Sequence, residues 1–342
     1  MMQRLLVTAI AGACLAVPTV ASAGAESAAA SWAKTEIRVV VARGLMAPDV
    51  KSFRPEDDLT RNELAQLASG LTGRPARRPS GPDTSVTIAE LDKRLVDALH
   101  LSRPATDFTT AARARGLDVP SRFGTEIVAR LLGLRTNHPA GQDDLERFPN
   151  EPAPRAEAAF SVARVLELVD SDSARVSAAP LSFALPRLDE WQSRILQTAF
   201  SLVGDPYVWG GETEAEGGFD CSGFVWRVYK LQRYPASGSL AQTLKGRTTF
   251  AMSGEVPRAQ RIRFADLVPG DIVFFGAAGP RSKPAQVDHM GIYVGSGWIV
   301  HSSRFGTTLV PLEGWYRDRF AWGRRPLAEA GLTAAPTAPP TG

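Results

Sequence analysis

The chain has 342 residues, more than one hydrophobic core comfortably holds, so its length favours two domains. Its 39 Lys and Arg residues nearly balance 36 Asp and Glu residues, for a formal net charge of +3, and the two signs are interspersed. This pattern argues against a basic nucleic-acid-binding stripe and leaves only a mild attraction to anionic surfaces.

The N-terminus has the features of a signal peptide. Arg4 precedes an apolar run over 5–20, and the small residues at 21–23 suit a signal-peptidase site. The run is too short for a comfortable membrane span of roughly 20 residues, and no later segment is apolar enough for one. We therefore expect residues 1–23 to be removed from a secreted, soluble protein. Lipid attachment at Cys14 is the alternative.

Residues 24–170 have the pattern of short amphipathic helices separated by loops with Pro and Gly. The first part predicts a helix over 32–42, a loop with Phe53 and Pro55, and a second helix that a Thr60–Glu63 capping box begins. A related order recurs near the end of this region, where a loop with Phe and Pro precedes a helix over 154–159.

This arrangement resembles the S-layer-homology repeat, a helical cell-wall attachment module, over 32–73 and more loosely over 121–170. A degenerate middle copy would lie between them, where apolar residues over 88–99 have helical spacing. The resemblance implies that the region binds a cell-wall polymer. The alternative is a helical packing domain without a ligand, which leaves open whether the region packs on or occludes a neighbouring site.

Composition marks the remaining boundaries. Residues 171–187 are rich in Ser, Ala and Pro and predict a linker. Residues 328–342 consist mostly of Ala, Pro, Thr and Gly, which cannot form a core, and predict a disordered tail. Residues 188–327 between them are a second domain of ordinary size.

Cys221 is the one cysteine that remains after residues 1–23 are removed, so no intramolecular disulfide is available. A lone thiol in an oxidising compartment is a liability unless it forms an intermolecular bridge, is inert in a core or does chemistry. Apolar residues over 224–231 have helical spacing, which places Cys221 at the first turn of a helix. Such a position lowers a thiol pKa and offers free amides to an oxyanion.

Short strand patterns follow over 272–275, 289–294 and 298–301. If the Gly-rich turn at 295–297 closes a hairpin with an odd number of loop residues, His289 and His301 point to the same side of the sheet. A two-residue turn would separate them. On the first alternative the sequence supplies a nucleophile, a base and an orienting residue, the logic of a catalytic triad.

Four segments together resemble the NlpC-type cell-wall cysteine peptidases: 207–211, 219–223, 287–293 and 300–301. The resemblance implies a papain-like α+β domain, in which a helix that carries the cysteine packs on a small antiparallel sheet, here after an all-α region. It also implies hydrolysis of a peptidoglycan stem-peptide amide, usually between D-glutamate and a diamino acid.

The same resemblance assigns roles to individual residues. Cys221, His289 and His301 form the triad, and the Tyr207 hydroxyl lies near the nucleophile, where it helps the oxyanion or the substrate. Asp220 and Ser222 flank the nucleophile and bind the amine end of the substrate.

Other functions remain open in the sequence. One thiol and two imidazoles are compatible with zinc, but metal-site spacings are absent, so we expect neither a metal nor another cofactor. A non-catalytic protein that only grips stem peptides is a second alternative, and the intact triad argues against it. An acyltransferase or amidase on the same scaffold is a third. His100 and His138 have no identifiable partners and are interpreted as structural or exposed.

Overall fold

The computed structural model describes residues 27–137, 146–231, 233–234 and 238–332. The predicted signal peptide, Cys14, His138 and most of the predicted tail lie outside these residues. In the part of the chain that the structure describes, no helix is long and apolar enough to cross a membrane.

The helical region is built from short helices, each with an apolar side toward a common core. They are α1 (Lys34–Ala42), α2 (Arg61–Thr72), α3 (Ile88–Ala98), α4 (Ser102–Arg113), α5 (Phe123–Leu131) and α6 (Arg155–Glu167). The predicted capping box of Thr60 and Glu63 begins α2, and a second one, of Thr87 and Glu90, begins α3. Each box satisfies amides that the first helical turn leaves unpaired.

The starts of α2, α3 and α6 meet at one junction. Isolated antiparallel bridges join the three segments that lead into these helices: Asp58 with Pro154, Thr60 with Ser85, and Thr87 with Pro152. The middle segment, which the sequence predicted only as a degenerate copy, thus begins its helix with the same cap as the first copy. The helix of the third copy, α6, follows Pro154 and has no side-chain cap.

The segment predicted as a linker is helical, so that part of the prediction is wrong. α7 (Asp170–Ser182) occupies most of it, and Val176, Phe183 and Leu185 are buried. The Phe183 ring lies 5.2 Å from that of Phe108 in α4 and 5.5 Å from that of Trp298. A Ser- and Ala-rich composition resembles a linker, but Ala favours helices and a few well-spaced apolar residues suffice to dock one.

The remaining elements surround two antiparallel sheets. The helices are α8 (Glu190–Ser201), α9 (Cys221–Trp226), α10 (Thr249–Gly254), α11 (Trp315–Arg319) and α12 (Pro326–Glu329). The strands are β1 (Glu212–Thr213), β2 (Gly218–Phe219), β3 (Ile272–Gly276), β4 (Val287–Gly295), β5 (Trp298–Ser303), β6 (Gly306–Pro311) and β7 (Phe320–Arg324). β1 pairs with β2, and the larger sheet has the order β6-β5-β4-β3-β7.

Both faces of the five-stranded sheet are covered. On β3, Ile272 and Phe274 face the core that α9 shares, whereas Val273 and Phe275 join a smaller cluster on the opposite face. This alternation follows from the two-residue period of a strand. The domain is therefore α+β, with the cysteine-bearing helix packed on an antiparallel sheet, as predicted.

One continuous apolar core links the helical region to the sheet. Phe123 of α5 contacts Phe200 of α8, with ring centroids 5.0 Å apart, and the contact of Phe108 with Trp298 crosses from α4 to β5. At the other end, Leu327 is buried and Leu332 packs on the core, so order extends into the predicted tail. The core thus crosses the predicted domain boundary.

Candidate active site

Asp220 sets the position of Cys221 at the start of α9. Its Oδ1 accepts a hydrogen bond from the Gly223 amide at 2.6 Å and from the Ser222 hydroxyl at 2.9 Å. Its Oδ2 accepts from the Gly210 amide at 3.0 Å. One carboxylate therefore caps the helix and fixes the glycine loop beside it, which stabilises such a helix start by about 1 kcal/mol.

The Cys221 thiol is half-buried and neutral. Its Sγ lies 3.4 Å from the Thr249 hydroxyl and within hydrogen-bond reach of the amides of Met290 and Ser222. Burial raises the pKa of the thiol to about 11, and these hydrogen bonds offset only part of that effect. The structure therefore differs from the expectation that the helix start lowers this pKa, because burial outweighs the helix dipole.

The two predicted histidines lie together on the sheet. His289 Nε2 is 2.7 Å from His301 Nδ1, and the His289 ring stacks on Phe275 at 5.7 Å. The Met290 amide that reaches Cys221 belongs to the residue after His289, which places the thiol beside this part of β4. The structure thus brings His289 and His301 into direct contact and places the Cys221 thiol against the amide next to His289.

The strand register explains why the histidines share a face. Ile292 pairs with Val300 and Tyr293 with Ile299, so paired residues have equal parity. The turn itself has only two residues, Ser296 and Gly297, both with positive φ, which is typical of a tight hairpin. A register shift between Tyr293 and Gly295 inserts one extra residue and restores the parity. The expected outcome holds, although a bulge and not an odd loop produces it.

Burial keeps both imidazoles neutral. It lowers the pKa of His289 to about 4, which the nearby Asp288 charge only partly counteracts, and lowers that of His301 well below its usual value. His301 Nε2 lies 3.4 Å from the Tyr316 hydroxyl. If His301 donates from Nε2 to Tyr316, its Nδ1 accepts from His289 Nε2. The lone pair of His289 is then on Nδ1, free to accept a proton.

Tyr316 was missed by the sequence analysis. Its ring packs edge-on to His301 at 5.2 Å, and burial raises its pKa to about 12, so the phenol stays protonated. It follows His301 by 15 residues, at the second position of α11, and no motif surrounds it. Only the approach of α11 to the sheet identifies it.

The sequence analysis also missed Arg247, which joins the loop of Gly210 to the segment before α10 that covers the thiol. Arg247 forms an ion pair with Glu212, donates to the Ser222 hydroxyl at 3.1 Å and reaches the Gly210 carbonyl at 3.4 Å. Thr249, two residues further on, contacts Cys221. The segment before α10 had no clear pattern in the sequence, so nothing there indicated these contacts.

The flanking residues are placed as follows. Asp220 and Ser222 are engaged in the hydrogen bonds that fix the helix start, so their predicted role in amine binding stays a prediction. Tyr207 follows Pro206 in the loop before β1 and lines a small polar cavity with Arg130 and Gly306. Its predicted role beside the oxyanion also stays a prediction. Within the described ranges, no three His, Cys, Asp or Glu residues are placed to hold a metal ion.

The helical region reaches the edge of this site. Arg130 of α5 donates to the carbonyls of Gly204 and Phe305, each at 2.5 Å, and the Asn137 amide donates to the Arg304 carbonyl at 2.6 Å. The turn between β5 and β6 is therefore held by residues of the helical region. That turn borders the cavity beside His289.

A cysteine at a helix start beside a histidine pair on an antiparallel sheet defines the papain-like class of fold. Residues 204–324 match the family model described as the NlpC/P60 family.

Curated relatives are similar over somewhat more than a third of the chain. The probable peptidoglycan endopeptidase LytE of Bacillus subtilis is 35% identical over 134 residues, which are 39% of this chain and 34% of LytE. The gamma-D-glutamyl-L-lysine dipeptidyl-peptidase of the same organism is 33% identical over 118 residues, 34% of this chain and 33% of that protein. Matches span 26% to 47% of the length of the curated relatives.

Among solved structures, an NlpC/P60 family protein from Bacillus cereus is similar with a TM-score of 0.33 and 25% identity, over 43% of each chain.

Proposed function

We propose that the chain is a secreted, cell-wall-associated endopeptidase that hydrolyses an amide bond in the stem peptide of peptidoglycan. Cys221 is the nucleophile, His289 the general base and acid, and His301 the residue that orients His289. The NlpC/P60 relatives support the substrate class, and the signal-peptide pattern of the N-terminus supports export.

One observation carries the proposal: His289 Nε2 lies 2.7 Å from His301 Nδ1, and the amide of Met290, the next residue after His289 in β4, reaches the Cys221 thiol. A histidine with a purely structural role would need only a hydrogen-bond partner for its ring. Here the partner is a second buried imidazole, and the remaining ring nitrogen of His289 is left for the thiol.

Because the thiol pKa is about 11 and the His289 pKa about 4, both groups are neutral before attack. His289 Nδ1 takes the thiol proton as Sγ bonds to the amide carbon. The resulting oxyanion lies near the amides at the start of α9 that Asp220 does not occupy, and the Tyr207 hydroxyl is a further donor. The carbon–nitrogen bond then breaks, and His289 returns the proton to the leaving amine.

The product of this first stage is a thioester on Cys221. Water attacks it, His289 takes the water proton, and the sulfur–carbon bond breaks to restore the thiol and release a carboxylate. An amine in place of water would make the same site an acyltransferase. The bond that we propose lies between D-glutamate and the diamino acid, by analogy with the gamma-D-glutamyl-L-lysine dipeptidyl-peptidase.

The direct test is mass spectrometry of muropeptides after purified peptidoglycan is incubated with the protein or with its Cys221→Ala variant. New stem fragments that the variant does not produce would identify the activity and the bond. Products joined to an added amine would indicate transfer instead of hydrolysis. Identical profiles for both proteins and the untreated wall would contradict the proposal and favour a protein that only binds stem peptides.

We also propose that the helical region binds an anionic cell-wall polymer. The supporting observation is a cavity of ≈ 500 Å³ between α2 and α3. Four of its lining residues are arginines: Arg61, Arg77, Arg78 and Arg94. A concave surface with this excess of cations favours phosphate or carboxylate groups.

The test of this second part is sedimentation of the whole chain with purified cell walls. Arg61→Glu combined with Arg94→Glu should release the protein into the supernatant, whereas Arg103→Glu on the exposed side of α4 should not. Equal sedimentation of all three proteins would contradict polymer binding at this cavity. The intact chain is used because the apolar core crosses from the helical region to the sheet.

A further inference from the structure

A cavity of ≈ 510 Å³ opens beside His289, and the proposed reaction leaves it without a role. The side chains that line it come from β4, from the end of β5 with its following turn, and from α11: His289, Ser303, Arg304, Phe305, Trp315 and Tyr316. Its volume is in the range of small-molecule sites.

The position of the cavity indicates which part of a substrate it receives. In an amide hydrolysis of this type, the histidine gives its proton to the leaving nitrogen, so the leaving group lies on the histidine side of the nucleophile. His289 lines the cavity, whereas Cys221 and Thr249 do not. The cavity therefore faces the amine product and not the acyl part held on the thiol.

Arg304 gives the cavity a positive charge. Its guanidinium lies over the Phe305 ring, 4.7 Å from the centroid, and none of the described carboxylates forms an ion pair with it. Arg319 of α11, by contrast, is already paired with Asp288 at 2.5 Å. A guanidinium that stacks on an aromatic ring keeps its planar donors available for a carboxylate.

The backbone beneath this side chain is fixed. The Arg304 carbonyl accepts from the Asn137 amide, and the Phe305 carbonyl accepts from Arg130. The guanidinium thus projects from a turn that two hydrogen bonds of the helical region hold in place. Little backbone ordering is required when a ligand binds, which favours affinity.

We propose that this cavity binds the leaving part of the stem peptide through a free carboxylate, with Arg304 as the residue that selects it. The aliphatic part of that leaving group packs between Trp315 and Phe305. This inference rests on the proposed function and adds a specificity: a diamino acid or short peptide with a free carboxylate is preferred to its carboxamide.

The test uses two synthetic stem peptides that differ only in a carboxylate or a carboxamide on the leaving side. The ratio of their kcat/KM values should favour the carboxylate about tenfold in the unmodified protein. Arg304→Gln should bring the ratio close to one, and Arg304→Lys should keep part of it because the charge remains without the planar fork. Arg317→Gln is the control and should keep the full ratio, because Arg317 of α11 stacks on Phe264 and does not line the cavity.

An unchanged ratio in Arg304→Gln, or no preference in the unmodified protein, would overturn the inference while hydrolysis of both peptides upheld the proposed function. A second measurement does not need hydrolysis. The free leaving fragment, as carboxylate or carboxamide, is titrated into the Cys221→Ala protein while tryptophan fluorescence is followed. Tighter binding of the carboxylate that Arg304→Gln abolishes supports the inference. Equal binding of the two forms contradicts it, whatever bond the enzyme cuts.

Discussion

The helical region and the strands around the two histidines bury different kinds of side chain. In the helical region, Arg135 contacts Asp92 at 2.8 Å and Glu157 at 2.7 Å, and Arg130 lies 3.2 Å from Glu126, all in the interior. The strands β3, β4, β5 and β6 bury apolar or uncharged polar side chains, His301 among them. Arg324 of the edge strand β7 is buried and paired with Glu255, so buried charge in this domain lies beside these strands and not among them.

This difference determines how each region responds when a side chain is substituted. Charges buried in pairs orient the helices but leave a costly unpaired ion when one partner is lost. An apolar sheet instead holds its histidines neutral, as the lowered pKa values of His289 and His301 indicate. Substitutions in the helical region should therefore lower mainly the stability of the protein, and substitutions at the histidines of the sheet should lower mainly its activity.

The largest effect should come from His301. His301→Ala removes the acceptor that orients His289, and we expect kcat for stem-peptide hydrolysis to fall about 1000-fold. His301→Asn keeps a polar partner and should recover at least about tenfold of that loss. Retention of more than a tenth of the activity by His301→Ala would contradict the role of His301 as the orienting residue.

Arg135→Ala tests the other half of the comparison. It leaves Asp92 and Glu157 buried without their shared cation, and we expect the free energy of unfolding in urea to fall by about 3 kcal/mol. Arg103→Ala, which removes an exposed partner of Asp107, should change it by less than about 0.5 kcal/mol. Similar values for the two variants would show that the buried network contributes no more than a surface pair.

Glu126 gives the helical region a pH dependence. Burial raises its pKa to about 7 from 4.5, so between these values the native state holds a proton that the unfolded chain has released. Stability should therefore fall as the pH rises through this window, by about 2 kcal/mol between pH 5 and 8. Urea unfolding at both pH values should show that Glu126→Gln removes this part of the slope. Glu167→Gln, on an exposed position, should leave the slope as it is.

The smallest effect should come from Tyr316→Phe. It removes the hydroxyl 3.4 Å from His301 Nε2, a long hydrogen bond, and we expect kcat to fall about threefold. KM should stay the same, and the acid limb of the pH–rate profile should move, because His301 and through it His289 lose a partner. Tyr234→Phe, whose hydroxyl donates to the Val228 carbonyl away from the site, should change neither. An unmoved acid limb would reduce Tyr316 to a packing role.

The parts of the site that depend on local sequence could be predicted. The Asp220–Cys221 helix start, the strands of His289 and His301, and the capping box of Thr60 follow from short patterns whose structure is fixed by neighbours in the chain. The fold class could be predicted because four short segments resemble the NlpC-type peptidases, and the helical and strand periods along the chain agree with the fold that this resemblance implies.

The parts that depend on contacts between distant segments could not. Burial raises the Cys221 pKa because α10 and β4 cover the thiol, which no local pattern records. The helix over Asp170–Ser182 forms because Phe183 meets Phe108 and Trp298. The cavity beside His289 requires Arg304 and α11 to converge, although 15 residues separate His301 from Tyr316.

The contact of Phe183 with Phe108 and Trp298 bears on how far the enzyme can reach. A catalytic domain on a flexible linker can reach every bond within the length of that linker. In the described residues, the contacts of Phe183 with Phe108 and Trp298 lie where a flexible linker would be needed between the arginine-lined cavity and Cys221. These two sites are therefore held at a fixed distance. Once the helical region is bound to the wall polymer, the protein would cut only bonds at one distance from that attachment point, and it would have to dissociate before it could cut elsewhere.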